Sequence, residues 1–285
     1  MRESMHELLS VLDLEQLDSN LFRGRNENHP RKRVFGGQVL GQALIAAART
    51  VEGRVAHSLH AYFLRPGDMT VPIIYDVERI RDGNSFTTRR VVAIQRGTPI
   101  FTMGASFQVR EEGVEHQDAP PRVPAPESLE TDHAARLRAA ARLPEPHRDF
   151  FVRERPFEVR PVQAVDFLEP GPQPPHRDFW MRATDPLPDD EVLHQALAAY
   201  LSDFNLLGSA LLPHGLTFWQ KNLQTASLDH AMWFHRPVRV DQWLLYATES
   251  PSAANSRGFT RGDLFDQSGR LVASVAQEGL VRLRD

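Results

Sequence analysis

The 285-residue sequence contains no cysteine. That excludes disulfides, a thiolate nucleophile and any cysteine-ligated zinc site, and it is compatible with a reducing compartment. Long hydrophobic runs are missing too. The longest apolar stretch, around Val39–Ala48, falls far short of the roughly 20 residues a membrane-spanning helix needs, so no membrane span is expected. The opening Met1-Arg2-Glu3-Ser4-Met5-His6-Glu7 lacks the apolar segment of a signal peptide. Leu283-Arg284-Asp285 is not a Ser-Lys-Leu address. The expected location is cytoplasmic. Excess positive charge is absent as well: a net charge of −4 offers no electrostatic footprint for nucleic acid. The 12 histidines include no H-E-x-x-H pattern. His57 and His60, three apart in an expected strand, point to opposite faces, so no metal is expected. What remains, 41% hydrophobic and 25% charged residues, is ordinary for a globular chain that buries a full core.

The most informative positive feature is a duplication. His57-Ser58-Leu59-His60-Ala61-Tyr62-Phe63-Leu64-Arg65-Pro66 is echoed by Ser227-Leu228-Asp229-His230-Ala231-Met232-Trp233-Phe234-His235-Arg236-Pro237. Strand-like segments follow each Arg-Pro. They end at Gly104-Ala105-Ser106-Phe107-Gln108 and Ala273-Ser274-Val275-Ala276-Gln277, with Arg-to-Gln intervals of 43 and 41 residues. A period of about 170 residues is too long for a solenoid, whose repeats run roughly 20–50 residues. It marks a duplicated domain, in which Gln108 and Gln277 read as matched positions.

Elements follow from periodicity. A short helix over 4–17 leads to a strand at Asn20–Gly24. A buried helix, Val39–Arg49, is entered through Phe35-Gly36-Gly37-Gln38. Strands are expected at Ser58–Leu64, Ile73–Ile80, Ser85–Ala93 and Pro99–Arg110. From Glu111 to about Pro146 prolines and charges mix, which reads as a surface-crossing linker with one short helix over Glu127–Ala141. The second copy opens at Phe157–Arg160, the expected counterpart of the Asn20–Arg23 strand, and Pro170–Pro175 forms a second proline-rich insertion. Its helix carries Leu193, Ala196, Leu197, Tyr200, Leu201, Phe204 and Leu207 on one face. Strands follow at Ala231–His235, Trp243–Ser250, Gly258–Asp266 and Leu271–Arg282. Each copy is thus a long helix wrapped by an antiparallel sheet. That is the hotdog layout, and two in one chain make an α+β double hotdog. The expected division is an N-terminal hotdog over 1–110, a linker over 111–152, and a C-terminal hotdog over 153–285 that carries the chemistry.

Several residues have two readings. Asp203 follows Tyr200 by three on the buried side of its helix, where a carboxylate is costly unless it is paired or used; otherwise it is a solvated residue at the face's margin. Ser227 opens a strand, as a site hydroxyl or as a turn hydroxyl bonding local backbone. Gln277 sits among small strand residues, facing inward or half-exposed. Gly36-Gly37-Gln38 at a helix start suits an oxyanion hole through Gly37 and Gln38, or serves close helix packing. Arg257 and Arg261 suit phosphate contacts or simple solvation. Gly258-Phe259-Thr260-Arg261-Gly262 mimics a nucleophile elbow, but it has Thr in place of Ser and no helix after it.

Taken together, His194–Asp203, Asp229–Pro237, Ser256-Arg257-Gly258-Phe259, Ala276-Gln277-Glu278-Gly279, Phe35–Gln38 and Leu64-Arg65-Pro66-Gly67 resemble bacterial acyl-CoA thioesterase II, the TesB type. The resemblance covers nearly the whole chain apart from the two proline-rich insertions. It implies that Asp203, Ser227 and Gln277 form the catalytic set and that Asp203 activates a water for direct hydrolysis; for Arg257 and Arg261, contact with the phosphates of coenzyme A stays beside simple solvation. It implies a fatty acyl-CoA substrate of medium to long chain, no separate cofactor since coenzyme A belongs to the substrate, and a homo-oligomer, dimer or tetramer. Two alternatives stand beside it. A hotdog hydratase or dehydratase pairs a carboxylate with a histidine, and a non-catalytic acyl-CoA binder keeps the pocket alone. His60 or His230 touching the substrate also stays open.

Overall fold

The computed structural model describes residues 1–27, 33–143, 145–164 and 166–284. In chain order the first half forms α1 (Glu3–Leu12), β1 (Glu15–Asp18), β2 (Leu21–Gly24), α2 (Gly36–Ala48), β3 (Val55–Phe63), β4 (Ile73–Asp82), β5 (Phe86–Gln95) and β6 (Thr98–Gln108). The connection carries α3 (Asp132–Ala140) and α4 (Glu145–Val152). The second half forms β7 (Phe157–Pro161), β8 (His176–Ala183), α5 (Glu191–Ser202), β9 (Leu223–Ser227), β10 (Asp229–Phe234), β11 (Leu244–Ala254), β12 (Arg257–Asp266) and β13 (Leu271–Leu283).

The strands make one antiparallel sheet in the order β1-β2-β4-β5-β6-β3-β10-β13-β12-β11-β8-β7, with β9 added to β13. The order reads as the same list from either end, each strand replaced by its counterpart. The halves therefore join at β3 and β10, where His60 pairs with Ala231 and Ala61 with His230. This is the double hotdog layout. Joining the copies edge to edge covers two strands that each half alone would leave unpaired. α2 and α5 pack against each other inside the sheet. One core runs through both halves, with Leu40 and Leu44 of α2 and Leu197 and Leu201 of α5 among its fully buried members.

Several expectations shift. The first helix stops at Leu12, and residues 15–18 turn into a strand that pairs with β2. The counterpart of β2 is β8, which was not expected. β7 at Phe157–Pro161 instead mirrors β1, because it pairs only with β8 at the sheet's far edge. The second long helix ends at Ser202, short of Leu207. Asn205 takes a left-handed φ of 61° and restarts the chain as a short 3-10 turn at Leu206–Ala210, a conformation asparagine tolerates better than most residues. The charged helix expected over 127–141 divides into a 3-10 turn at Pro126–Ser128 and α3. α4 was not foreseen, and Pro144 lies outside the described residues.

The connection also docks more firmly than a surface-crossing linker. Arg136 is 2% exposed. It pairs with Asp132 at 3.1 Å and donates to the carbonyls of Phe151 and Arg153. That arrangement fixes the chain running from α4 into β7, beside the end of α5.

Candidate active site

Asp203 is placed by the way α5 ends. It is the helix's C-cap, with φ −79° and ψ −10°, so its carboxylate leaves the last turn beside the start of α2, which runs antiparallel along α5 with Gly37 against Tyr200 and Gly41 against Ala196. A carbon built on Gly36 would stand 2.6 Å from Asp203 Oδ2. Only a residue without a side chain lets the N-terminus of α2, with its outward N–H groups, come this close. The C-cap of α2 is Arg49, so the first half carries no acid at the matching helix end.

Ser227 and Gln277 reach the same oxygen from the sheet. Ser227 pairs with Gly279 on β13, two residues from Gln277. A tight corner at Leu228, held by its N–H to the Glu278 carbonyl and by the Glu278 N–H to Asp229 Oδ1, turns the chain into β10. Ser227 Oγ donates to Asp203 Oδ1 at 3.1 Å and Gln277 Nε2 donates to that same oxygen at 2.7 Å. Three residues that are scattered in the chain, each unremarkable alone, thus meet on one carboxylate. Gln277 is 1% exposed, and its Oε1 has no hydrogen-bond partner among the described residues.

Behind Gln277 lies His230, 1% exposed. Its Nδ1 is 3.1 Å from Gln277 Nε2, and its Nε2 is 2.8 Å from Ser202 Oγ. Complete burial pushes its pKa down to about 3, so the ring is neutral in ordinary buffers. Tyr246 donates to the Ser202 carbonyl at 2.8 Å. Burial first, and then the charge of Asp203, hold its phenol well above the usual range.

The sheet register corrects the matching of the two copies. Leu64 and Arg65 both donate to the Ile100 carbonyl as His235 and Arg236 both donate to that of Val272, and Leu59 and His230 are buried where His60 is exposed, so the counterpart of His230 is Leu59 and not His60. Leu59 pairs with Ala105, where His230 stands beside Gln277. Gln108 is therefore no counterpart of Gln277. It lies three residues further along β6 and bonds Glu111 at 3.3 Å. The Arg65-Pro66 and Arg236-Pro237 pairs already carried this register. The His-Ala repeat lies one residue out of step with them, and the unequal Arg-to-Gln intervals of 43 and 41 residues put Gln108 and Gln277 out of step as well. The part that His230 and Ser202 take in the site was not read from the sequence at all.

The glycine motif divides its labour. Gly37 packs against α5, since a carbon built on it would lie 2.3 Å from the Tyr200 carbonyl. Gln38 is fully buried, and its amide bonds the backbone of Arg25 and Glu27 together with Asn26 and Gln42. The amide of Gln38 is thus committed to anchoring the approach to α2. What Gly37 and Gln38 offer Asp203's surroundings is the backbone of the helix N-terminus. Arg257 and Arg261 do not converge on the site. Both lie on the exposed face of β12, in ion pairs with Glu278 and Glu249, while Thr260 between them faces inward opposite Gln277.

A pocket open to solvent adjoins Asp203 through its chain neighbour Phe204 and through Phe35, next to Gly36. Leu8, Phe157, Tyr200 and Leu201 add to its apolar wall, and Arg153 and Arg155 stand among its lining residues. The Phe35 and Tyr200 rings meet edge-on at 5.1 Å, and the Tyr200 hydroxyl donates to Glu27 at 2.7 Å.

Residues 26–108 match the family model described as Acyl-CoA thioesterase N-terminal domain, and residues 146–280 match the one described as Acyl-CoA thioesterase. The chain is 42% identical to Acyl-CoA thioesterase 2 of Haemophilus influenzae over 286 residues, 100% of both chains. It is 45% identical to human Acyl-coenzyme A thioesterase 8, over 96% of this chain and 88% of that one. The crystal structure of acyl-CoA thioesterase II TesB2 from Mycobacterium marinum superposes with a TM-score of 0.80 at 44% identity, covering 98% of this chain and 99% of that one. With its whole length matched and its two halves joined as one double hotdog, the chain belongs to the acyl-CoA thioesterase II family.

Proposed function

We propose that the chain, an acyl-CoA thioester hydrolase by family, cleaves fatty acyl-CoA by direct attack of a water that Asp203 deprotonates. The observation that carries this reading is the convergence of Ser227 and Gln277 on Asp203 Oδ1. Two donors on one oxygen orient the carboxylate, and orientation is what a general base requires before its basicity counts. The water oxygen adds to the thioester carbonyl carbon as its proton passes to Asp203. The carbon–sulfur bond then breaks with its electron pair going to sulfur, and the proton held by Asp203 passes to the departing thiolate, giving a fatty acid, the thiol of coenzyme A and a regenerated carboxylate. A thiolate leaves readily because its conjugate acid has a pKa of about 8.5. The site therefore needs a base and an oxyanion stabiliser more than a strong acid. The backbone N–H groups at Gly37 and Gln38 supply the stabiliser, since the first residues of a helix have N–H groups without intrahelical partners. Gln277 Oε1 supplies an acceptor for the water's second proton.

The acyl chain lies along the apolar wall beside Phe35, Tyr200 and Phe204, and an apolar wall favours medium to long chains over acetyl. Residues 153–285 form the half that carries the chemistry. A homo-oligomer, dimer or tetramer, accords with Tyr62 and Trp233, which lie exposed on the outer face of the joining strands. Cytoplasmic placement accords with the cysteine-free composition. Arg257 and Arg261 serve coenzyme A only if its phosphates cross the outer face of β12.

His230 gives the hydratase reading its one foothold, but it stands behind Gln277 and reaches Asp203 only through that amide. A hydratase needs both groups on the substrate. Release of free coenzyme A from acetyl-, decanoyl- and palmitoyl-CoA tests the proposal. Sustained turnover with the longer chains is expected. No release, or one equivalent and no more, would sink it and leave the hydratase or the binder.

A further inference from the structure

Hydrogen-bond directions around His230 follow from counting protons. Ser202 Oγ lies 2.8 Å from the Ala199 carbonyl, an atom that only accepts. The single hydroxyl proton is therefore committed there, and Ser202 Oγ must accept from His230 Nε2. A neutral imidazole carries one proton, so the opposite nitrogen, Nδ1, is an acceptor. It faces Gln277 Nε2 at 3.1 Å. That nitrogen has two protons, one for His230 and one for Asp203. Each donor in the series has one consistent direction, and a rotated amide would set its oxygen against both a lone pair and a carboxylate. The other half of the molecule has Leu59 and Ala105 at these places, so the series exists only where the carboxylate does.

We propose that His230 is a positioning residue of the reaction. As the Nε2–H tautomer anchored by Ser202, it locks the Gln277 amide with its nitrogen on Asp203 and its oxygen kept for the attacking water. This rests on the reading in which Asp203, Ser227 and Gln277 handle that water. It adds a requirement that reading does not contain: the amide must be held from behind, and it must be held by an acceptor.

The test is a double-mutant cycle with decanoyl-CoA on the full chain. His230→Leu, which installs the residue of the other half, is expected to lower kcat on the order of 10²-fold, as small misplacements of a reacting group do. KM should change by less than about threefold, because no substrate contact is lost. His230→Asn returns an acceptor near the Nδ1 position and should recover part of the rate. Adding either substitution to Gln277→Ala should cost less than about twofold more, since the residue acts through Gln277. An equal fold-loss in both backgrounds overturns the proposal, as does a His230→Leu enzyme with wild-type kcat. Gln277→Ala at the wild-type rate would instead overturn the role of Gln277 in hydrolysis. Should His230→Leu not fold, His230→Asn and Ser202→Ala complete the cycle. Independently of activity, long-range ¹H–¹⁵N spectra should show His230 protonated at Nε2 alone, and an Nδ1–H tautomer overturns the proposal.

Discussion

Replacing Asp203 with Asn separates catalysis from structure because the surroundings set both effects. The asparagine oxygen still accepts from Ser227 and Gln277, so the two bonds that orient the group survive. What is lost is the base. General-base removal costs about 10²–10⁴-fold in rate, or roughly 3–5 kcal/mol of barrier at 1.36 kcal/mol per tenfold. Stability should hardly move. The carboxylate caps the negative end of α5, which costs ~0.3–1 kcal/mol, and faces the positive start of α2 at Gly36, which returns a similar amount. The melting temperature should therefore stay within about 4 °C of wild type. A thiol-reactive dye reads turnover directly, because the chain has no cysteine and every thiol in the assay comes from coenzyme A. A folded Asn variant that binds acyl-CoA and turns over at the wild-type rate would remove Asp203 from the mechanism. A variant that loses activity only by unfolding would make Asp203 structural.

Gly36→Ala places a carbon against Asp203 Oδ2, so kcat should fall at least tenfold, by the logic of displacing a reacting group, while circular dichroism stays native. Gly37→Ala meets the backbone carbonyl of Tyr200 at 2.3 Å and must spread α2 from α5; thermal melts should show a loss of about 1–3 kcal/mol or more. His230 is held neutral to about pH 3 in the fold, against about 6.5 unfolded. Its folded pKa lies below its unfolded one, so its contribution is fully present above about 6.5 and is lost progressively as pH falls toward 3. Wild type and His230→Asn should therefore run parallel in stability above pH 7, and wild type should lose ground below pH 6; denaturant titrations that stay parallel to pH 4 would contradict this. Leu8→Trp fills the cavity wall, and kcat/KM should drop at least tenfold for palmitoyl-CoA but little for butyryl-CoA; an equal drop for both would place the acyl chain elsewhere.

Local pattern carried much of this molecule. The existence of α5 was legible from the spacing of Leu193, Ala196, Leu197 and Tyr200, because helix periodicity is a local property. Its burial was not: His194, Gln195, Ala198, Ala199 and Ser202 off that face are buried too, while Leu193 and Tyr200 are only half-buried. Nor was its end: Asn205 departs from the helix by a left-handed turn that the apolar spacing of Phe204 and Leu207 conceals. The duplication was legible from two Arg-Pro pairs, and so were the antiparallel strands that follow each. β8 escaped because Pro170–Pro175 precedes it and its Phe179-Trp180-Met181 run does not alternate. Asp203, Ser227 and Gln277 were named as a set through resemblance, and each alone also had a bland reading.

The sequence by itself determined the two copies, their helices and the residue types available for chemistry, since these depend on neighbours within a few positions. The sequence offers two copy-to-copy registers, one from the Arg-Pro pairs and one from the His-Ala repeat, and tertiary structure decided between them, and with it whether His230 answers to His60 or to Leu59. A strand's side chains alternate faces, so a one-residue slip exchanges buried for exposed. Pairing between β3 and β10, remote in the chain, chose the register that buries His230 and exposes His60. The same non-local pairing set Arg257 and Arg261 on the outside. It brought β9 beside β13 and left Ser227 and Gln277 on one oxygen of Asp203.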